Sequence, residues 1–106
     1  MSGPANLSTV DRLRARDGSD CWLCGQAIQF DAKPNSGLAP SREHLLAQCL
    51  GGPDKLENLV LCHVVCNRRL AVLSVKEKVD RRERRLRKQW LAAAKAKLQK
   101  VVLVAL

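Results

Sequence analysis

The apolar positions of this chain change period along its length, and each period predicts an element. Val10 and Leu13 share one helical face in residues 9–16, with Ser8 as N-cap, Asp11 three residues on and Asp17-Gly18 as a stop, which predicts a short helix bracing the core. Residues 26–30 read as a short extended arm, and the Pro, Asn, Ser and Gly of residues 34–37 as a loop. Residues 40–46 fit a strand in which Glu43 and His44 point to opposite faces or are parted by a kink. Residues 48–57 read as a loop turning at Gly51-Gly52-Pro53-Asp54, and Leu59-Val60-Leu61 as a second, buried strand. From about Val64 the pattern is helical, with Leu70, Leu73 and Val75 facing inward.

From Val75 to about Lys100 the chain predicts one long helix. Val79, Leu86, Trp90, Ala94 and Leu98 make only a thin apolar stripe on a basic rod, so this is no core helix. The stripe is suited to docking on the domain or to pairing with another copy. Residues 101–106 are uncharged and apolar, a segment for packing or self-association. Strand, loop, strand and helix between flanking helices make an α+β fold. It divides into an N-terminal segment with its short helix (1–18), a central domain (19–75) and a basic helical extension (76–106), with residues 1–6 small, polar and expected to fray.

Composition sharpens this picture. At 106 residues the chain is a single small domain, near the size at which a hydrophobic core alone leaves a modest margin. Its only aromatic residues are Trp22, Phe30 and Trp90, which strengthens the case for a metal-nucleated core. Trp22, between two cysteines, is read as a core plug beside that metal rather than a base-stacking residue. Of the net charge of +9, the stretch 76–100 carries +8, with eleven Lys and Arg against three acids. No apolar run is long enough to span a membrane, so nucleic acid is the natural partner of the basic tail.

The odd count of five cysteines, and an N-terminus that does not begin as a signal peptide, favour metal ligation in a reducing, cytoplasmic setting over disulfides. Cys21 and Cys24 form a Cys-x-x-Cys knuckle, with Gly25 letting the backbone bend so that amides point toward sulfur. A structural Zn²⁺ needs a second pair. His63 with Cys66 keeps the two-residue spacing of a knuckle, whereas Cys62 with Cys66 leaves three residues between; the first is favoured and Cys62 is the alternative to His63. Cys49, without a partner, is read as an incidental thiol.

Glu43-His44, a Gly-Gly turn, Asn58-Leu59-Val60-Leu61 and Cys66-Asn67, bracketed by the upstream Cys-x-x-Cys, together resemble the zinc-containing branch of the HNH endonuclease family over roughly residues 16–70. The resemblance implies a ββα-metal fold, in which two strands and a helix hold one catalytic divalent ion. It implies His44 as the general base that takes a proton from the attacking water, and Asn58 as the residue that ties down the loop and helps orient that base. Asn67 and Glu43 would hold the catalytic Mg²⁺ or Mn²⁺, Glu43 standing where many members have Asp. The sequence departs from the family's pattern at Leu45-Leu46-Ala47, where a proline often follows the histidine, and at His63, where many members have Cys.

The implied activity is hydrolysis of double-stranded DNA to 5′-phosphate and 3′-hydroxyl ends. A hard cation would neutralise the phosphodiester while a neutral imidazole activates water. The same resemblance implies a role in phage DNA processing or packaging in the host cytoplasm, with a terminase or other DNA-processing protein as partner. Arg68, Arg69, Arg81, Arg84, Arg85 and Lys88 are the candidate DNA contacts. The alternative is a non-catalytic zinc-stabilised module that binds DNA or protein through the basic helix, and binding without cutting would distinguish it.

Overall fold

The computed structural model of the chain describes residues 7–105, so the start expected to fray, residues 1–6, and the last residue of the apolar end lie outside it. Helix α1, Thr9–Asp17, begins at Ser8, whose hydroxyl accepts the Asp11 amide, and ends as Gly18 turns the chain away. Its Leu13 is completely buried. Arg16 fastens the helix from outside, Nη1 donating to the Leu56 carbonyl and Nη2 to that of Leu59, both at 2.8 Å.

The sheet consists of two antiparallel strands, β1 (Pro40–His44) and β2 (Leu59–His63), in a register that sets Glu43 opposite Val60 and His44 opposite Leu59. β1 stops two residues short of its expected end because Asn58 takes over from the ladder. The Leu45 amide donates to the Asn58 carbonyl at 2.9 Å, and the Leu46 backbone is held by the Asn58 side chain. All five residues of β2 are buried, as a strand packed against both α1 and helix α2 (Val64–Leu70) requires. Of the positions expected to face inward beyond it, Leu70 is fully buried and Leu73 half-buried, but Val75 is exposed because the chain turns away at Ala71.

The extended arm at residues 26–30 is only a bridge between Asp20 and Ala27, followed by the buried Ile28. The loop 48–57 contains short 3-10 turns at Gln48–Leu50 and, running to its end, Leu56–Asn58. Gly52 sits against the Leu46 carbonyl, where a Cβ would have no room. That contact, rather than backbone conformation alone, demands the second glycine of the pair.

The last element, α3, runs from Val75 to Ala105. Its apolar stripe does not dock: Val79 is half-buried, but Trp90 is 68 % and Leu98 63 % exposed. The one buried residue of α3 is Lys78, and the helix is tied to the rest of the chain by cations rather than by its stripe. Over the described residues the fold is thus a small α+β structure of three helices and a two-stranded sheet, with a Cys/His cluster that could bind a metal. Among the described residues no helix is long and apolar enough to cross a membrane.

Candidate functional site

The knuckle is bent by backbone bonds across it: Gly25 N–H donates to the Cys21 carbonyl at 2.9 Å, and Cys21 N–H to that of Gln26 at 2.8 Å. Gly25 has φ +77°, and a side chain there would also collide with the guanidinium of Arg85. From later in the chain, the junction of β2 and α2 delivers His63 and, one helical turn later, Cys66. The ligand atoms of Cys21, Cys24, His63 and Cys66 all lie within 4.8 Å of one another, and such a group could hold a metal ion.

The hydrogen bonds of His63 say which nitrogen faces the cluster. Nε2 is 2.8 Å from the Ala27 carbonyl, which can only accept, so Nε2 carries the hydrogen. Nδ1, 3.3 Å from Cys24 Sγ and 3.8 Å from Cys66 Sγ, is left with its lone pair toward the sulfurs. A carbonyl behind a histidine that fixes its tautomer in this way is the usual support of a metal ligand.

Cys62 stands apart from the four. Its thiol hydrogen-bonds Cys21, which together with burial pushes Cys62 upward in pKa and keeps it protonated. The same bond, aided by the amides of Cys24, His63 and Leu23 and opposed by burial, draws Cys21 down to about 3. Cys66 goes the other way, to about 12, through burial and the negative charge on Cys21. Thiols crowded together resist ionising at once, and a divalent cation among them removes that resistance.

The second group lies at the end of β1. An open depression of about 160 Å³ has Glu43, His44 and Asn67 among its lining residues, together with Arg42, Gln48, Cys49 and the apolar Ala47, Ala71 and Val72. Three of the residues singled out in the sequence thus border one depression, although Glu43 is buried, one of its carboxylate oxygens accepting from Lys78. Asn67 is fixed by its amide nitrogen, which donates to Ser41 Oγ at 2.7 Å and to the Arg42 carbonyl at 3.0 Å, so its amide oxygen is not used in these bonds. Asn58 lies behind the depression rather than in it. Its Oδ1 accepts from Leu46 N–H, and its Nδ2 donates to the carbonyls of Leu46 and Pro53, at 2.9 to 3.0 Å. One buried amide thereby closes the whole loop between the strands.

Two neighbours of this group had no signal in the sequence. Asp54 Oδ1 is 3.0 Å from His44 Nε2. Lys78, wholly buried, donates to Glu43 Oε1 and to the His44 carbonyl, each at 2.7 Å. Burial nevertheless holds the Glu43 carboxyl above its ordinary range, outweighing the pull of the Lys78 ammonium. As one lysine in a basic run, Lys78 looked like another exposed charge. Asp54 looked like ordinary turn chemistry.

The candidate DNA contacts divide. Arg68, Arg69, Arg81, Arg84 and Lys88 are exposed. Arg85 is not free for phosphate: Nε donates to the Leu23 carbonyl and Nη2 to that of Trp22, both at 2.9 Å, while Nη1 bonds Gln89. With Arg82, whose Nε donates to the Trp22 carbonyl at 3.1 Å and whose guanidinium lies 5.3 Å from the Trp22 ring centre, it clamps α3 onto the knuckle. Trp22 itself is half-buried against the core. The chain matches no known protein-family model, no curated protein and no solved structure.

Proposed function

We propose that this protein is a metal-dependent DNA endonuclease of the HNH, or ββα-metal, kind, held together by a structural zinc. The observation that carries the reading is the convergence of His44, Glu43 and Asn67 on one depression, with Asn58 closing the loop behind it. The donor set of three cysteines and one histidine, with a carbonyl behind the histidine, suits Zn²⁺ in a closed tetrahedral site. In this reading β1, β2 and α2 are the ββα unit and the zinc pins its helix to the knuckle.

The chemistry follows from the residues. A neutral His44 imidazole takes a proton from water as it attacks phosphorus. The amide oxygen of Asn67 and the Glu43 oxygen that Lys78 does not hold are hard donors suited to Mg²⁺ or Mn²⁺, which would supply charge neutralisation at the phosphate and the leaving oxygen. Such a donor-poor site needs the phosphate itself to complete it. Arg68, Arg69, Arg81, Arg84 and Lys88 offer exposed charge for the DNA backbone, and no residue is identified that would read bases, so weak sequence preference is expected.

The test is nicking or linearisation of supercoiled plasmid by wild type and His44→Ala with Mg²⁺, Mn²⁺ or neither. Loss of cutting in the variant with its zinc content and fold intact is expected; equal cutting by both sinks the proposal. One observation favours a second reading. Because a Glu43 oxygen is already bound by Lys78, the chain could be a zinc-stabilised module that binds DNA through α3 without cutting it. Metal-independent DNA binding with no cleavage under any divalent ion would select that reading.

A further inference from the structure

We propose that Asp54 is the residue that orients His44 for catalysis, so that the base is an Asp-His pair rather than a lone histidine; this rests on the nuclease reading. His44 closes β1 and is anchored on its backbone side, where Lys78 Nζ donates to its carbonyl at 2.7 Å. Its ring is held from the loop by Asp54 Oδ1, 3.0 Å from Nε2. A carboxylate only accepts, so the neutral ring in this contact carries its hydrogen on Nε2 and keeps the lone pair on Nδ1. Orientation and tautomer are therefore set together, as a buried carboxylate sets them in a Ser-His-Asp triad.

The loop is built to keep Asp54 where it is. Asn58 Nδ2 donates at 2.9 Å to the carbonyl of Pro53, the residue immediately before it, and the same side chain holds both polar backbone groups of Leu46. Gly52 packs the turn directly against the Leu46 carbonyl. Asn58 thus acts on His44 through Asp54: it fixes the turn, the turn fixes the carboxylate, and the carboxylate fixes the ring. The side chain of His44 is 19 % exposed whereas that of Asp54 is 57 % exposed. An exposed carboxylate adds little to stability through such a pair, so substitutions at Asp54 leave the fold intact and report on the ring.

Two readouts test the assignment. In the plasmid assay, Asp54→Ala and Asp54→Asn are expected to lower kcat on the order of 10- to 100-fold, less than the roughly 10²- to 10⁴-fold that the general base itself supplies, with KM for DNA within twofold of wild type. Asp54→Glu restores at least part of the loss. The second readout does not depend on cleavage. The chain has two histidines, so ¹⁵N-histidine NMR of the zinc-bound protein, at a pH where the ring is neutral, resolves His44, assigned by its disappearance in His44→Ala. Its Nε2–H tautomer should dominate in wild type and give way to a mixture in Asp54→Ala.

A wild type that cuts while Asp54→Ala keeps kcat within twofold overturns the proposal and leaves the nuclease reading standing, as does a wild-type His44 carrying its hydrogen on Nδ1. A wild type that cuts under no divalent ion overturns the nuclease reading, and the positioning role of Asp54 falls with it.

Discussion

Replacing Lys78 by Met asks whether one buried ion pair holds the long helix to the strand that carries His44. Lys78 is fully buried and Glu43 is 2 % exposed. Methionine keeps most of the lysine stem, so little cavity is opened and what is lost is charge. The carboxylate loses its cation and the His44 carbonyl loses a donor, both at 2.7 Å. Left alone, Glu43 takes up a proton rather than stay ionised in an apolar surround. Against an ordinary value of 4.5, keeping it neutral at pH 7 costs at most about 3 kcal/mol, and wild type, whose Glu43 is already raised by burial, carries part of that cost. The carbonyl adds about 1 kcal/mol, so the deficit at pH 7 is at most about 4 kcal/mol, comparable with the loss from breaking a buried pair.

The pH dependence has a definite sign. Burial raises the Glu43 pKa in the folded protein, so its contribution is complete below the unfolded value of 4.5 and is lost as pH rises through the folded one. Removing Lys78 raises the folded value further. The variant therefore goes on losing stability at pH values where wild type no longer does, and its deficit is smaller at pH 5 than at pH 7. Urea unfolding followed by circular dichroism, at fixed free zinc, measures both deficits. Adding Glu43→Gln to Lys78→Met should recover at least half of the pH 7 loss. A deficit under about 1 kcal/mol at both pH values, or a double variant no better than the single, refutes the reasoning.

Three other outcomes are expected. Cys62→Ala should keep one zinc per chain by metal analysis, whereas Cys66→Ser and His63→Ala lose it or bind it far more weakly, and chelation should unfold the wild-type domain. Gly52→Ala drives a methyl group into the Leu46 carbonyl, so it should distort the loop and abolish cleavage while zinc content is unchanged; an active Gly52→Ala would mean that the loop is softer than its contacts imply. Truncation after Gln89 removes Lys95, Lys97 and Lys100 but spares the Lys78, Arg82 and Arg85 anchors. It should flatten the salt dependence of DNA binding by up to about 3 in the log–log slope without unfolding the domain, and an unchanged slope would remove the end of α3 from the DNA-binding surface.

What could be read from the chain was whatever depends on neighbours in sequence. Ser8, Asp11 and Gly18 mark a helix because caps act within one turn. Cys21-x-x-Cys24 and His63-x-x-Cys66 mark two half-sites because a metal needs its donors paired at short range, and the choice of His63 over Cys62 agrees with the cluster that forms. The long basic helix was legible as a rod for the same reason, its stripe being too thin to bury.

Tertiary structure alone decided the rest. Nothing local distinguishes Lys78 from the other cations of α3, yet it is the one that meets Glu43 and His44 across the fold, and Arg82 and Arg85 become clamps only because the knuckle presents the Trp22 and Leu23 carbonyls to them. Asp54, ten residues beyond His44, became its partner by closure of the loop between the strands, through bonds that Asn58 makes to backbone rather than to any side chain a pattern could reveal. A charge announces its sign in the sequence, but which opposite charge or carbonyl it finds depends on where distant segments come to rest.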